Sequence, residues 1–408
     1  MKRTLAILAL LFALIHVSGC TKREAQPALQ KKPTVFPRIE LVESVPLETS
    51  LDQADIPNAA AVWREMIESA RARLDLAHFY VSNADNSALE PILGALEAAC
   101  SRGVQIRFLL DKGFSGKYEE SVLRLTRIPC LVLRRIDLKA RTGGVQHAKY
   151  FIVDGKETFL GSQNFDYRAL AHIQELGVRT PVPGVVTALE EVFALDWAIA
   201  GGEPLPAVGG AAIGFARARY GGEPMEVLPV ASPRDLLPRG VAWDLPWLIR
   251  LIDGAKQAVR VQLLSYRATS RSGEPFPELD DALRRAQKRG VTVQLLLADW
   301  SDRPGPLEGL QDLAACGIEV RLVTIPPAST GAIPYARVVH SKYLVVDEHS
   351  AWVGTSNWER DYFYQSRNVG VILEGPALAR RIDALFATLW TSPYARPIAK
   401  PDRLAREP

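Results

Sequence analysis

Apolar and polar positions along this 408-residue chain form a pattern that runs through twice. It begins with a short apolar run before a proline, IELVESVP at 39–46 and MEVLPVASP at 225–233, and each reads as a strand. A helical spacing over 61–73 then passes into LDLAHFYV, as 247–258 passes into VRVQLLSY. The next helix, predicted over 88–100, leads through Arg102 and Gly103 into VQIRFLLD, and its counterpart over 279–288 leads through Arg289 and Gly290 into VTVQLLLAD. In both, the glycine marks the helix end. A further helix and strand reach Arg134 and Leu322, after which the apolar runs Tyr150–Val153 and Tyr343–Val346 open a hairpin. Aromatic-rich helices over 186–199 and 377–390 close the two passages.

The order strand, helix, strand, helix, strand, helix, strand, hairpin, helix predicts an α/β fold in each half, a mixed β-sheet flanked by helices on both faces. The first half covers 37–200 and the second 223–396, with a tail at 397–408. Between them, 201–222 is rich in Gly and Ala with few core candidates and reads as a linker crossing the surface. With 48% hydrophobic residues, the chain has core material for two domain-sized units.

The hairpins carry the chemistry. HAKYFIVDGKETFLGSQN at 147–164 and HSKYLVVDEHSAWVGTSN at 340–357 place His147, Lys149 and Asp154 in the same frame as His340, Lys342 and Asp347. In each copy a Gly follows the Asp by seven positions and an Asn comes three later, Asn164 and Asn357. Strand alternation is expected to turn His147 and Lys149 to one face, and likewise His340 and Lys342. A phosphodiester needs a cation on its oxygens, a nucleophile on phosphorus and an acid on the leaving oxygen. One copy supplies half of that set; two facing copies supply all of it.

This paired frame resembles that of the phospholipase D superfamily. GSQNFDYRALAHIQELGV, GTSNWERDYF and LWTSPYARP are similar to the branch containing the lysosomal five-prime exonucleases, also described as membrane-bound phospholipase D homologues. The resemblance implies tandem phospholipase D-type repeats related by a pseudo-two-fold axis, with one active site at their junction, for which a monomer suffices. It also implies that a side chain 28 residues after each motif histidine orients it, which points to Glu175 and Asn368. A carboxylate on the far imidazole nitrogen makes the near nitrogen the better nucleophile. His147 is therefore expected to be the nucleophile that forms a phosphohistidine, and His340 the acid that protonates the leaving oxygen and then activates water or an acceptor alcohol.

Lys149 and Lys342 are expected on the non-bridging oxygens, with Asn164 and Asn357 assisting and the hydroxyls of Ser162 and Thr355 close by. Asp154 and Asp347 precede turns and are expected to organise backbone. His78 reads as core or as support behind the site, His172 and His349 as surface. No His and carboxylate cluster has metal-ligand spacing, so neither a metal nor another cofactor is expected. Aromatics follow both motifs, Phe165 and Tyr167, then Trp358, Tyr362, Phe363 and Tyr364, and fit core packing, base stacking or acyl contact.

The N-terminus bears on location. Lys2 and Arg3 precede an apolar run over 5–17, too short to span a bilayer, that ends at Val17-Ser18-Gly19-Cys20. This layout resembles a bacterial lipoprotein signal over 1–19, which makes Cys20 the lipidated residue and 20–36 a polar tether, in a cell envelope and facing the periplasm. Of the remaining cysteines, Cys100, Cys130 and Cys316, the first two read as buried free thiols, with a bridge between them the alternative. A net charge of +3 suits an anionic substrate without diagnosing nucleic acid. The expected function is a phosphodiesterase acting on a phospholipid headgroup or a single-stranded nucleic-acid end. The competing readings are a phosphatidyltransferase of cardiolipin synthase type and a non-catalytic, anion-binding lipoprotein.

Overall fold

A computed structural model of the protein describes residues 36–206, 212–270 and 272–398. The signal, Cys20, nearly all of the tether and the last ten residues lie outside them. Two mixed sheets dominate. Edge to edge, the first runs Glu40–Ser44, Glu175–Thr180, Glu157–Gly161, Tyr150–Val153, Arg73–His78, Gln105–Asp111 and Leu131–Ile136. The second repeats this as Glu223–Ser232, Asn368–Glu374, Ser350–Gly354, Tyr343–Val346, Ala258–Leu263, Thr292–Ala298 and Glu319–Val323. The last three strands of each series are parallel, as connections through helices require, and the rest pair antiparallel.

Helices Ala59–Ser69 and Glu90–Ser101 pack one face of the first sheet, and Asp244–Gly254 and Pro277–Lys288 one face of the second. The other faces contribute to a single core that spans both halves. Tyr150, Leu160 and Val178 meet it from the first sheet, Tyr343, Val353 and Val371 from the second, together with the aromatic helices Pro183–Gly201 and Pro376–Trp390. The alternation of strands 150–153 and 343–346 divides Tyr150 and Ile152 from Phe151 and Val153, and Tyr343 and Val345 from Leu344 and Val346, between shared and outer cores.

Three details depart from the sequence reading. Each half has a further strand between hairpin and closing helix, Glu175–Thr180 and Asn368–Glu374. Both are buried along nearly their whole length, and their mixed glycine and apolar pattern hid the period-two signal. Within 201–222, Ala216–Tyr220 is not a surface crossing but a strand paired antiparallel with 223–232. Arg219 also exchanges backbone hydrogen bonds with Ile39 and Pro37, so this segment stitches the second sheet to the start of the first half. Finally, Cys100 and Cys130 form a disulfide rather than two free thiols, the end of one helix and the approach to strand 131–136 being brought within a Cα separation of 5.6 Å. Cys316 is free and exposed.

Candidate active site

The turn in each hairpin fixes what stands around it. Asp154 and Gly155 have φ of 53° and 64°, and Asp347 and Glu348 φ of 53° and 52°, the paired left-handed residues of a tight hairpin. The Asp154 carboxylate accepts the backbone N–H groups of Arg71, Ala72 and Arg73 at 2.8–2.9 Å, and Asp347 accepts those of Lys256, Gln257 and Ala258 at 2.8–2.9 Å. The motif aspartates are therefore clasps that tie the hairpin to the start of the neighbouring strand, as expected of them.

His147 and Lys149, like His340 and Lys342, precede their strands rather than lying within them. What orients these segments is the opposite half. The His147 N–H donates to the Arg367 carbonyl at 3.0 Å, and the His340 N–H to the Gln174 carbonyl at 2.8 Å. The side chains follow the same exchange. His340 Nδ1 lies 2.8 and 2.9 Å from the Glu175 carboxylate oxygens, and His147 Nδ1 lies 3.1 Å from Asn368 Oδ1. Glu175 thus serves the histidine of the other half, which overturns the pairing from which His147 was expected to be the nucleophile. Sequence distance favoured the wrong partner because the strands carrying Glu175 and Asn368 could not be seen.

Both acceptors fix the tautomer. Asn368 Nδ2 donates to the carbonyls of Tyr362 and Ser366, and its Oδ1 accepts the Thr355 hydroxyl at 3.0 Å, so the amide presents oxygen to His147. Each imidazole carries its proton on Nδ1, which leaves Nε2 with a lone pair. Burial and the two lysines hold both imidazoles well below the ordinary histidine range, so they rest neutral. Burial pushes the Glu175 carboxyl up to about 7, against the pull of Lys342, the Ser162 hydroxyl and Lys149. It pushes the Lys342 ammonium down to about 7, against the attraction of Glu175. Lys149 is also well below the usual lysine range, from burial and then from Lys342. Each ammonium folds back onto the carbonyl of its own motif histidine.

His147 and His340 line one cleft of about 450 Å³ with Asn164, Ile173, Leu264, Val338 and an aromatic rim. Asn164 donates to the Tyr80 hydroxyl at 3.3 Å, and Tyr80 in turn donates to Asp166 at 2.8 Å. Asn357 accepts the Ser265 N–H at 3.4 Å, and its buried Nδ2 has no partner among the described residues. Ser162 and Thr355 are fully buried and bond the backbone at Leu176 and Val369, so they hold the orienting strands.

The walls of the cleft are unequal. On the first half Phe79 meets Phe114 at a tilt, their ring centroids 4.0 Å apart, and Tyr80 stacks on Tyr118 at 5.0 Å. On the second, Leu264 and Ser265 take the matching place, Ser265 pairing with Glu359 as Tyr80 pairs with Asp166. At the mouth stand Lys117 and the exposed rings of Trp300 and Tyr335. Of the motif-following aromatics only Tyr362 lines the cleft, its ring 4.9 Å from that of His147; Phe165, Trp358 and Phe363 are core, and Tyr167 and Tyr364 pack against it. Tyr80 and Tyr335 come from loops and Tyr118 and Trp300 from single 3-10 turns, all too short for a periodic signal, although FYV after the strand at 73–78 holds a clue in its polar-tipped ring. His78 is core, packed on Trp63, Phe108 and Phe165 and held near a pKa of 3 by burial and Lys149. His349 is exposed and His172 half-buried.

Comparison with known proteins matches this architecture. A family model described as "Cardiolipin synthase, PLD-like domain" matches residues 63–197 and again 248–390, one match per half. The chain is 31% identical to the human 5'-3' exonuclease PLD3 over 87% of its own length and 79% of that protein's. It is 30% identical to phospholipase D Z of Dictyostelium discoideum, over 88% of this chain and 90% of that one. Among solved structures, phosphatidylserine synthase of Haemophilus influenzae shares the fold with a TM-score of 0.58 at 12% identity, covering 83% of this chain and 85% of that one. With two motif copies converging on one cleft, and with these matches over both halves, the chain belongs to the phospholipase D superfamily and is a phosphodiesterase of that superfamily.

Proposed function

We propose that the enzyme hydrolyses phosphodiesters at the end of a single-stranded nucleic acid, with His340 as nucleophile and His147 as acid. The observation that carries the division of labour is the carboxylate of Glu175 on His340 Nδ1 opposite the neutral amide of Asn368 on His147 Nδ1. A carboxylate stabilises the positive charge that a phosphorylated imidazole acquires, so it belongs behind the nucleophile. An amide adds no charge and lets a proton leave readily, which suits the acid. Substrate brings its own negative charge, which offsets the two lysines and allows His147 to take up a proton at Nε2.

In the first step His340 Nε2 bonds to phosphorus as the bond to the leaving oxygen breaks, and His147 hands its proton to that oxygen. In the second, water attacks phosphorus and breaks the P–N bond while His147 Nε2 takes the water's proton. Both histidines return to their starting states. Lys149 and Lys342 offset the charge of the non-bridging oxygens, and the amide of Asn357 donates a hydrogen bond to them.

The rim supports the substrate reading. Stacked rings and a lysine at the mouth suit bases strung on an anionic backbone, and the 31%-identical human relative is named a 5'-3' exonuclease. A phospholipid is the second reading, supported by the relative named phospholipase D Z and by the lipoprotein-like Val17-Ser18-Gly19-Cys20. That segment supports a lipid-anchored enzyme in the envelope, facing the periplasm; metabolic labelling with palmitate should mark the wild type and not Cys20→Ala, and equal label would remove the anchor. The substrate test is a panel on the protein lacking residues 1–20: single-stranded DNA, phosphatidylcholine, phosphatidylglycerol, and phosphatidylglycerol with an added alcohol. Nucleotide release from DNA is expected. Headgroup release or lipid transfer without nucleotide release would overturn it in favour of the lipid hydrolase or the phosphatidyltransferase.

A further inference from the structure

Behind His147, and absent behind His340, lies a fully buried ion pair that the two-step chemistry does not use. Asp196, on the closing helix of the first half, takes the Arg367 guanidinium in two parallel hydrogen bonds of 2.8 Å. The remaining guanidinium contacts go to the carbonyls of Ser232 at 2.9 Å and Leu236 at 2.7 Å. Both side chains are wholly inaccessible. Such a pair is an indifferent source of stability, because removing two charges from water offsets most of their attraction. Its location points elsewhere.

Arg367 is the residue whose backbone carbonyl accepts the His147 N–H, and the next residue, Asn368, holds the His147 ring nitrogen. Four hydrogen bonds on the guanidinium fix the backbone from which both contacts are made. The other half shows what the alternative looks like. Gln174 stands 193 positions before Arg367, the same offset that separates His147 from His340, and its carbonyl accepts the His340 N–H. Its side chain is neutral, bonded to Gln262 at 2.6 Å and Ser341 at 3.0 Å, and the place matching Asp196 is taken by Leu389. One histidine has therefore been given a rigid ionic backing and the other a lighter amide one.

We infer that Asp196 and Arg367 are positioning residues for the proton donor: through the Arg367 carbonyl and the adjoining Asn368 side chain, the pair sets the aim of His147 at the leaving oxygen. A nucleophile that closes a covalent bond corrects its own aim as it reacts. An acid must already stand within hydrogen-bond reach of the oxygen it protonates. The inference rests on the assignment of His147 as the acid.

The test uses leaving-group dependence, which a merely structural role would not move. The double variant Asp196→Asn/Arg367→Gln removes both charges and copies the neutral arrangement at Gln174; Arg367→Lys keeps the charge but not the two-pronged geometry, and covers the case in which the double variant does not fold. Each is compared with His147→Ala in the single-turnover release of the leaving group from an alkyl and an aryl phosphodiester, which reads the first step apart from the water step that His147 also serves, with thermal melting as a check on folding. The double variant is expected to lose about 10- to 100-fold in that release rate on the alkyl ester, with the aryl release rate and the half-saturating substrate concentration held within about threefold, as for a displaced but intact acid. Arg367→Lys should fall between it and wild type. A selective loss in His147→Ala with a flat or absent loss in folded pair variants overturns the inference alone. A flat loss in His147→Ala overturns the acid assignment and the inference together.

Discussion

The Glu175 carboxylate bonds Nδ1 of His340, 165 positions further along the chain, and not His147, which lies 28 positions before it. Asn368 returns the exchange to His147. The division of labour between the histidines rests on this crossing, and it can be read out directly. His147→Ala should react with an aryl phosphodiester and accumulate phosphoenzyme on His340, since the group that activates water is gone. On alkyl esters it should lose about a hundred- to ten-thousandfold, the usual worth of a placed general acid. His340→Ala should form no adduct with either ester. Intact-protein mass spectrometry decides, and an adduct on His147 in His340→Ala would restore the opposite assignment.

The alkaline limb of activity should belong to Lys342. Its ammonium is charged below about 7 and discharged above it, so kcat/KM should fall as pH rises past that point. Glu175 holds Lys342 in its charged form, so Glu175→Gln lowers the lysine further and should move the limb towards acid. The same variant should lower kcat by about tenfold or more through a weaker nucleophile. A limb that stays in place in Glu175→Gln would mean that another group sets it.

The aspartate clasps should matter to stability and not to chemistry. Asp154→Ala or Asp347→Ala strips an acceptor from three backbone N–H groups and should cost about 1–3 kcal/mol each. Below the melting transition, KM and kcat should stay close to wild type. Chemical denaturation and steady-state kinetics at one temperature check both halves of the statement.

Asp244 gives a stability effect with a definite pH sign. It is 1% exposed, its Oδ2 accepts the Ser356 hydroxyl, and burial pushes its carboxyl up to about 7. A folded-state value above the unfolded one stabilises below the unfolded value and loses that contribution as pH rises through the folded one. Wild type should therefore lose up to about 2–4 kcal/mol from this group between pH ~4 and pH ~8. Asp244→Asn should escape that loss and be the more stable protein at pH ~8 while matching wild type near pH ~4. A gap that does not change with pH would assign it to packing.

Much of this was legible in the order of residues. The duplicated period, the matching helix ends at Gly103 and Gly290, and the shared frame of His, Lys and Asp are local features, and local features survive folding unchanged. The backbone role of Asp154 and Asp347 was legible for the same reason, because a turn aspartate has few other uses. The orienting partners were found but mated wrongly. Glu175 sits on a strand whose glycine-bearing sequence disguised it, and only the docking of two sheets reveals which histidine it meets. The Cys100–Cys130 bridge is not decided by the sequence, since spacing alone carries no Cα distance. Trp300, on a single 3-10 turn, and Tyr335, on a loop, are out of reach because such short segments are placed by what they pack on, not by a period.

The exchange of supports also bears on descent. A duplicated chain whose copies each completed their own histidine could let one copy decay or specialise while the other carried on. Here a substitution at 175 changes the chemistry of the histidine at 340, and one at 368 changes that of the histidine at 147. Neither half can be altered at these positions without acting on the histidine of its twin, so a change made in one copy is read out in the other.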